Sequence, residues 1–378
     1  MRLHHRLDGP AAGTPLLLGP SIGTSLRLWE PQLDALTRRH RVLRFDLPGH
    51  GGSPAVPDAR TTRELAAYVL ALADAQGWDA FAYAGVSLGG AIGARIAIDH
   101  PERVTRLALL ASSADFGGSR PWLDRAELVR AEGTAPLLTT SPARWFADPA
   151  ATADSTLGRA LLSDLAAADP EGYARCCEAI ADHDVTAVLG RIQAPTLVVQ
   201  GRQDPATPPV HGRALADGIP HARLLELPGA AHLPGVDRPA AVTDALLRHF
   251  EGDPLASGFE VRRAVLGTAH VDRAVAAATP FTAGFQDLIT RYAWGEIWTR
   301  PGLDRRTRSA VTLTALVAGG HEKELALHIR GALNNGLSRG EIEEVLLQTA
   351  VYCGVPAANS AFAVAQEVLN SIDEEASA

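Results

Sequence analysis

The chain has 378 residues, which exceeds the usual size of one domain and predicts two. Its formal charge of −8 disfavours binding to nucleic acid or to an anionic membrane surface. No apolar run is long enough to cross a bilayer, and residues 1–10 lack the apolar centre of a signal peptide. Three cysteines are too few for a disulfide framework, so the composition favours the reducing cytoplasm.

The first predicted elements alternate between strands and helices. A buried strand over 15–18 is followed by a loop of small residues over 19–25 and then by a helix. A second strand over 41–45 leads into a turn-rich loop that contains His50, which we interpret as a structural histidine because a better-placed one follows downstream. An amphipathic helix over 61–76 comes next. Alternation of this kind predicts an α/β domain with a parallel sheet.

The central motif is Gly85-Val86-Ser87-Leu88-Gly89, which lies between a predicted strand over 81–84 and a predicted helix over 91–99. A strand, a Gly-x-Ser-x-Gly turn and a helix form a nucleophile elbow, in which the serine occupies a strained turn. The turn places Ser87 at a helix N-terminus, where backbone N–H groups stabilise developing negative charge. Ser87 is therefore the predicted nucleophile.

Two backbone N–H groups form the predicted oxyanion hole of this serine. One belongs to Leu88, because the residue after the nucleophile supplies a donor in folds with this elbow. The other donor in such folds comes from a loop after an early strand. Ile22 stands at that place in the loop over 19–25, counted back from Trp29.

A cap domain is predicted where the alternation stops. After a strand over 104–110, helical runs over 157–168 and 173–181 predict a helical cap over about 112–190 that closes the site and selects the substrate. Arg144 and Trp145 are the candidate substrate-binding residues of the cap, since a cation beside an aromatic ring suits a carboxylate above Ser87. A surface arginine beside a core tryptophan fits the same pattern.

An acid and a histidine follow the next two strands. The strand over 196–200 precedes Asp204, and the strand over 222–227 precedes His232. The chain order Ser87, Asp204, His232 is that of the α/β-hydrolases. In this arrangement His232 takes the serine proton, while Asp204 fixes the imidazole tautomer and stabilises its cation. These residues predict an α/β-hydrolase domain over 1–251.

The last third of the chain predicts a separate, all-helical domain over 259–378. The segment over 252–258 reads as a linker by composition, and the strand pattern stops after it. Predicted helices occupy 281–294, 305–318, 322–334 and 342–352, and a last helix follows Pro356. Ser338 with Glu341 has the spacing of a capping box for the fourth of these helices.

Both parts resemble known families. The first two thirds resembles the 3-oxoadipate enol-lactone hydrolases of the α/β-hydrolase family, through residues 21–24, 85–90, 144–146 and 230–233. The last third is similar to the 4-carboxymuconolactone decarboxylases, an AhpD-like family, through residues 292–296, 306–309, 324–328, 335–336 and 352–356. The resemblance implies a fused, bifunctional enzyme of the protocatechuate branch of the 3-oxoadipate pathway. It also implies small lactone substrates and a homo-oligomer formed through the C-terminal domain.

The implied decarboxylation needs no cofactor. Loss of carbon dioxide leaves electron density that spreads into the lactone carbonyl. The site therefore needs a hydrogen-bond donor at the carbonyl oxygen and an acid that protonates the ring carbon. Glu324 and His328 share one helix face, and a histidine oriented by a carboxylate suits proton donation. Glu296 is a further candidate, and Arg306 or Arg308 is expected to bind the substrate carboxylates.

Other functions stay open. The first domain fits a general esterase, a lactonase of other specificity or a cofactor-free haloperoxidase, whereas a haloalkane dehalogenase would carry Asp in place of Ser87. The second domain fits a non-catalytic oligomerisation module, or a metal site of His321, Glu324 and His328, although no further ligand is obvious. A solvated ion pair also explains Glu324 and His328. A thiol peroxidase of AhpD-like fold needs a cysteine pair, and Cys353 has no partner at the required spacing.

Overall fold

A computed structural model describes residues 2–56, 58–252, 254–300 and 302–377. The chain divides into two compact units, Met1–Phe250 and Glu251–Ala378. One apolar core lies within the first unit, and two smaller clusters of buried apolar residues lie within the second. Among the described residues, no helix is both long and apolar enough to cross a bilayer.

The first unit is built on a seven-stranded sheet in the order β1-β3-β2-β4-β5-β6-β7, parallel except for β1 at one edge. The strands are β1 His5–Asp8, β2 Thr14–Gly19, β3 His40–Phe45, β4 Phe81–Val86, β5 Val104–Leu110, β6 Thr196–Gly201 and β7 Ala222–Leu227. The inner parallel strands are covered on both faces, so they appear as continuous apolar runs that the sequence reveals, whereas β7 at the other edge is partly exposed. The short, polar β1 carries no such run, and the sequence did not predict it.

Helices connect these strands and form the cap. Before β5 the helices are α1 Glu30–Leu36, α2 Thr62–Asp74 and α3 Leu88–Asp99, the last of which packs against β4 and β5. Between β5 and β6 the cap contains α4 Arg120–Glu132, α5 Ala135–Leu138, α6 Ser141–Trp145, α7 Pro149–Ala153, α8 Thr156–Ala167 and α9 Pro170–Ala181. After β6 come α10 Pro209–Gly218, α11 Pro234–Asp237 and α12 Pro239–Glu251. This sheet and the helices inserted between β5 and β6 confirm the predicted α/β-hydrolase fold with a helical cap.

The cap is tied to the loops that follow β2 and β3. Ser25, after β2, donates its hydroxyl to Asp164 of α8 at 2.6 Å. The carbonyl of Gly49, after β3, accepts from the Asp169 N–H at 2.8 Å. Gly49 also approaches Gly172 of α9 so closely that a Cβ on Gly49 would lie 2.6 Å from the Gly172 Cα. Because these loops leave the carboxyl ends of parallel strands, the cap covers the same edge of the sheet as Ser87.

The second unit is all-helical, as predicted. Its helices are α13 Pro254–Leu266, α14 Thr268–Ala276, α15 Ala283–Ile289, a π-helix over Thr290–Ile297, α16 Arg305–Gly319, α17 Glu322–Asn334, α18 Arg339–Cys353 and α19 Val355–Ser377. The predicted capping box is present, with the Ser338 hydroxyl accepting from the Glu341 N–H at 3.2 Å. The helix predicted over 281–294 is instead α15 followed by the π-helix.

The prediction of a linker over 252–258 is wrong for most of that segment. Asp253 lies outside the described residues, but 254–258 form the start of α13. Gly258 and Pro254 of this segment lie where the backbones of α13 and the π-helix pack closely together. A Cβ on Gly258 would lie 2.1 Å from the Thr290 carbonyl oxygen, and a Cβ on Gly295 would lie 2.0 Å from the Pro254 carbonyl oxygen. Glycine composition alone cannot distinguish a flexible linker from such a backbone contact.

We expect Gly258→Ala to lower the free energy of unfolding of the second unit by about 1–3 kcal/mol. The added methyl group would meet the Thr290 carbonyl, and relief requires α13 and the π-helix to separate. Urea unfolding followed by tryptophan fluorescence measures the change. Gly340→Ala in α18 is the matched control, because no atom lies within 4 Å of the added methyl group. Equal stability of the two variants would show that this backbone contact does not constrain Gly258.

Candidate active sites

Ser87 lies in the sharp turn between β4 and α3. Its φ of 56° and ψ of −116° are values that residues other than glycine rarely adopt. The Ser87 N–H donates to the Leu110 carbonyl at 2.9 Å, and the Ser87 carbonyl accepts from the Ser112 hydroxyl at 2.8 Å. A Cβ on Gly85 would lie 2.2 Å from the Gly89 carbonyl oxygen. The small residues of the motif are therefore needed for the chain to close around the serine.

His232 and Asp204 form a buried pair. The Nδ1 atom of His232 lies 3.0 Å from Oδ2 of Asp204. The other carboxylate oxygen accepts from the N–H groups of Ala206 and Thr207, at 2.8 and 3.0 Å. Burial by itself raises the pKa of Asp204, but the charge of His232 and the hydrogen bonds from Thr207 outweigh it, so this pKa lies below its ordinary value. Asp204 is thus suited to act as the anion that orients His232.

Ser87 and His232 line one cavity under the cap. The residues around it are Ser21, Ile22, Ser87, Phe116, Trp122, Arg125, Leu137, Thr140, Ser141, Arg144, Trp145, Tyr173, Ala206, Thr207 and His232. The structure therefore brings Ile22, one of the two predicted oxyanion donors, to the cavity that Ser87 lines. Leu88, the other, is the first residue of α3, a position whose N–H has no acceptor within the helix.

Arg144 and Trp145, the predicted substrate-binding residues, also line the cavity. Arg144 is half-buried. Burial lowers the pKa of its guanidinium, and the positive charge of Arg125 lowers it further. Arg125 is a second cation at the cavity that sequence reasoning missed, because it stands in α4 without a recognisable motif. Among the described residues that line the cavity, none is acidic.

His50 is buried beside the cap and is not among the residues found at the cavity wall. Its Nδ1 lies 2.9 Å from the Pro48 carbonyl oxygen. Its ring stacks on Tyr173 with 5.6 Å between ring centroids. Burial lowers the pKa of His50. These contacts give His50 a packing role, in line with its interpretation as a structural histidine.

Asp237 connects the His232 loop to the cap, and sequence reasoning did not identify it. Its carboxylate accepts from the Ala231 N–H at 2.8 Å and from the Ala147 N–H at 3.1 Å. Burial raises the pKa of Asp237. No local pattern signals this function, because the two N–H groups come from segments far apart in the sequence.

His328 marks the candidate site of the second unit. Its ring is parallel to that of Trp294 within 2°, at 6.0 Å between centroids, and stacks on Trp298 at 6.5 Å. Burial lowers the pKa of His328, and the charge of Glu324 partly opposes this. Glu324 is exposed one turn earlier, and the described residues show no hydrogen bond between the two. Glu296 is exposed in the π-helix between the tryptophans, and π-helical segments occur frequently at functional sites.

Arg306 and Arg308 form hydrogen bonds with neighbouring segments of the chain. Arg306 donates to the Gly336 carbonyl and pairs with Glu341. Arg308 donates to the carbonyls of Leu303 and Arg300, at 3.1 and 2.8 Å. In the described part of the chain, neither arginine contacts His328. Their binding of substrate carboxylates stays a prediction.

The residues weighed as a metal site do not converge. His321 is the N-cap residue of α17 and lines a cavity with Leu325 and Pro356. His328 instead stacks on the tryptophans. Within residues 2–56, 58–252, 254–300 and 302–377, no group of three or more histidine, cysteine or acidic side chains is placed to hold a metal ion.

Comparison with known proteins gives two matches along the chain. Residues 14–239 match the alpha/beta hydrolase fold family, and residues 283–367 match the carboxymuconolactone decarboxylase family. The 3-oxoadipate enol-lactonase 2 of Acinetobacter baylyi is 34% identical over 244 residues, which is 65% of this chain and 91% of that protein.

Two relatives match the shorter stretch. The 4-carboxymuconolactone decarboxylase of Acinetobacter baylyi is 46% identical over 115 residues, which is 30% of this chain and 86% of that protein. The nitrosuccinic acid decarboxylase of Metarhizium robertsii is 48% identical over 115 residues, 30% of this chain and 80% of that protein. The chain therefore belongs to the α/β-hydrolase family through its first unit and to the carboxymuconolactone decarboxylase family through its second.

Proposed function

We propose that this chain is a bifunctional enzyme that decarboxylates 4-carboxymuconolactone to 3-oxoadipate enol-lactone and then hydrolyses this lactone to 3-oxoadipate. The observation that carries the proposal is the joining of the two families in one chain, because relatives of the two units are named for consecutive reactions. The proposed compartment is the cytoplasm, since Cys176, Cys177 and Cys353 are free thiols.

In the proposed hydrolysis, Ser87 attacks the lactone carbonyl while His232 accepts its proton. The N–H groups of Ile22 and Leu88 stabilise the oxyanion. The ring C–O bond then breaks, and the enol oxygen leaves with the proton from His232. Water, deprotonated by His232, hydrolyses the acyl-enzyme, and Asp204 stabilises the imidazolium in both steps.

The charge of the cavity supports an anionic substrate. An enol-lactone of 3-oxoadipate uses one carboxyl group in the ring and keeps the other free, so it carries one negative charge. Arg144 supplies a positive charge at the cavity wall, which Trp145 also lines, and the described wall has no acidic residue to repel the substrate. Apolar side chains such as Leu137 fit the ring carbons.

In the proposed decarboxylation, the C–C bond to the departing carbon dioxide breaks and its electrons spread into the lactone carbonyl as a dienolate. His328 then protonates the dienolate at the ring carbon next to the lactone carbonyl, which leaves the C=C bond of the enol-lactone at the carbon that lost carbon dioxide, with Glu324 favouring the charged form of His328. Glu296 is the second candidate acid. Arg306 and Arg308 are proposed to bind the carboxylates, which requires them to leave their present contacts. The scheme uses no cofactor.

We expect Glu324→Gln to lower the pKa of His328 further and to shift the decarboxylase pH profile to more acidic values. An acid must be protonated to act, so kcat/KM rises as the pH falls through this pKa. Removing the Glu324 charge leaves burial unopposed, which moves that rise to lower pH. A pH–rate profile and NMR titration of the His328 ring measure the shift. Glu322→Gln removes an equal charge from another face of α17 and is the control; equal shifts in both variants would contradict a specific pairing.

A second candidate substrate for the second unit is nitrosuccinic acid, because the relative named for its decarboxylation is 48% identical. Loss of carbon dioxide beside a nitro group also sends electron density into an adjacent acceptor. The two substrates differ in shape but require the same kind of proton donor. A comparison of kcat/KM for carbon dioxide release from each substrate decides between them.

One incubation tests the main proposal. The purified chain is mixed with 4-carboxymuconolactone, and carbon dioxide, enol-lactone and 3-oxoadipate are followed together. We expect carbon dioxide and 3-oxoadipate in equal amounts. Release of carbon dioxide with lasting enol-lactone would remove the hydrolase assignment. Hydrolysis of added enol-lactone without carbon dioxide release would remove the decarboxylase assignment.

We propose that the second unit also assembles the chain into a homo-oligomer. Among the described residues, four exposed large hydrophobic side chains belong to the first unit and twelve to the smaller second unit. Phe281, Phe285, Leu288 and Tyr292 recur at helical spacing from just before α15 into the π-helix. Exposed apolar surface concentrated in this way is typical of protein interfaces.

We expect the two units to work when produced as separate fragments, 1–251 and 252–378. Each unit has its own apolar core, so each buries enough surface to fold. The first fragment should hydrolyse enol-lactone as a monomer, and the second should decarboxylate as an oligomer, measured by sedimentation. A fragment that begins at 259 lacks the start of α13 and is not a fair test. Loss of both reactions in folded fragments would contradict separate domains, and a monomeric second fragment would contradict the oligomer.

A further inference from the structure

Two guanidinium groups of the cap, Arg125 of α4 and Arg144 of α6, line the hydrolase cavity. In the described part of the chain, neither forms a salt bridge with a carboxylate. A buried arginine elsewhere in the same unit is paired, since Arg44 lies 2.8 Å from Asp8. A guanidinium withdrawn from water needs an anionic partner. The described cavity wall therefore presents two guanidinium groups without a carboxylate bonded to either, although the charge of Asp204 behind His232 also favours the charged form of Arg144.

Aromatic side chains hold Arg125 in position. Its Cζ lies 4.6 Å from the centroid of the Trp122 ring, the geometry of a cation–π contact. Its charge also reaches Tyr173, where it partly opposes the rise in pKa that burial causes. Trp122 and Tyr173 line the same cavity. The guanidinium is thus oriented before a ligand arrives, which lowers the entropy lost on binding.

The two cations also act on each other. The charge of Arg125 makes the charged form of Arg144 less favourable, in addition to the effect of burial. Like charges on one cavity wall repel unless an anion binds with them. An anionic ligand therefore gains from both guanidinium groups and removes their mutual repulsion.

We propose that Arg125 and Arg144 together bind the carboxylate of an ester or lactone substrate, and that Arg125 is a specificity-determining residue of the hydrolase. The inference rests on the proposed hydrolase function and deepens it, since within the hydrolase the sequence predicts substrate binding only by Arg144 and Trp145. In an enol-lactone of 3-oxoadipate, the free carboxylate is attached on the side of the leaving oxygen. The paired site therefore selects esters with a negative group on the leaving side of the bond that Ser87 cleaves.

Two aryl acetates that differ only in one carboxylate test this site in the full-length chain. They are 4-acetoxy-3-nitrobenzoate, which carries the charge on its leaving group, and 2-nitrophenyl acetate, which is neutral. We expect wild type to prefer the charged ester and Arg125→Met to lower the charged-to-neutral ratio of kcat/KM by about 10- to 100-fold, mainly through KM. Arg125→Lys should restore part of the ratio.

Arg120→Met is the matched control. Arg120 lies on the same helix, is exposed, and pairs with Asp124 at 2.8 Å outside the cavity wall. We expect this variant to keep the wild-type ratio. Because one carboxylate is shared, Arg125→Met combined with Arg144→Met should cost less than the sum of the two single effects.

Two results would overturn the paired site: no preference for the charged ester in wild type, or an unchanged charged-to-neutral ratio in Arg125→Met, whether both activities are kept or both fall equally. Equal loss would show that Arg125 only supports the cavity. The aryl esters also separate this inference from the proposed function. If wild type prefers the charged ester but does not open 3-oxoadipate enol-lactone, the anion site stands and the proposed substrate fails.

Discussion

The Ser87→Ala variant is expected to release carbon dioxide from 4-carboxymuconolactone at the wild-type rate and to accumulate the enol-lactone. The proposed decarboxylation depends on His328 in the second unit, whereas Ser87 lies in the first. Loss of the nucleophile removes the acyl-enzyme route, so hydrolysis should fall by about 10⁵- to 10⁶-fold. Slow residual opening remains, because the oxyanion donors and the cavity are still present.

A time course of carbon dioxide, enol-lactone and 3-oxoadipate measures this result. Ser163→Ala removes an exposed hydroxyl from α8 and serves as the control. An enzyme-free sample corrects for spontaneous opening of the lactone. If 3-oxoadipate appears at the wild-type rate in Ser87→Ala, another residue is the nucleophile. If carbon dioxide release also stops in the folded variant, the two reactions are not independent.

The His328→Ala variant is expected to show the reverse pattern. Decarboxylation should fall by about 10²- to 10⁴-fold, the usual contribution of a general acid. Hydrolysis of added enol-lactone should continue, because Ser87, Asp204 and His232 are unchanged. His328→Gln keeps more of the volume that stacks on Trp294, so it separates loss of the acid from loss of packing.

Carbon dioxide release, hydrolysis of added enol-lactone and a circular dichroism spectrum are measured for each variant. His321→Ala, at the start of α17 and outside the tryptophan stack, is the control. Near-normal carbon dioxide release by folded His328→Ala would assign the proton transfer elsewhere, with Glu296 the first residue to examine. Loss of both activities in His328→Gln would indicate that the stack supports the whole chain.

The sequence by itself determined the fold class and the predicted triad of the first unit. The five parallel strands β2 to β6 are largely buried, so each appears as a local apolar run, while β7 at the sheet edge is partly exposed. The glycines around Ser87 let the chain close tightly around the serine within a single turn. Because all of these residues are neighbours in the sequence, a five-residue motif reveals them. Asp204 and His232 each follow a predicted parallel strand, so the sequence alone predicts that they lie together at the carboxyl edge of the sheet.

Only the tertiary structure decided the features that depend on contacts between distant segments. Composition predicts that Gly258 is a linker residue, but in the fold the Thr290 backbone packs directly against it. Asp237 joins the cap to the His232 loop, and Arg125 reaches the cavity from a cap helix without any motif. The edge strand His5–Asp8 is set by its pairing with β3 rather than by hydrophobicity. Local spacing cannot encode such contacts, because the partner that gives each residue its role lies elsewhere in the chain.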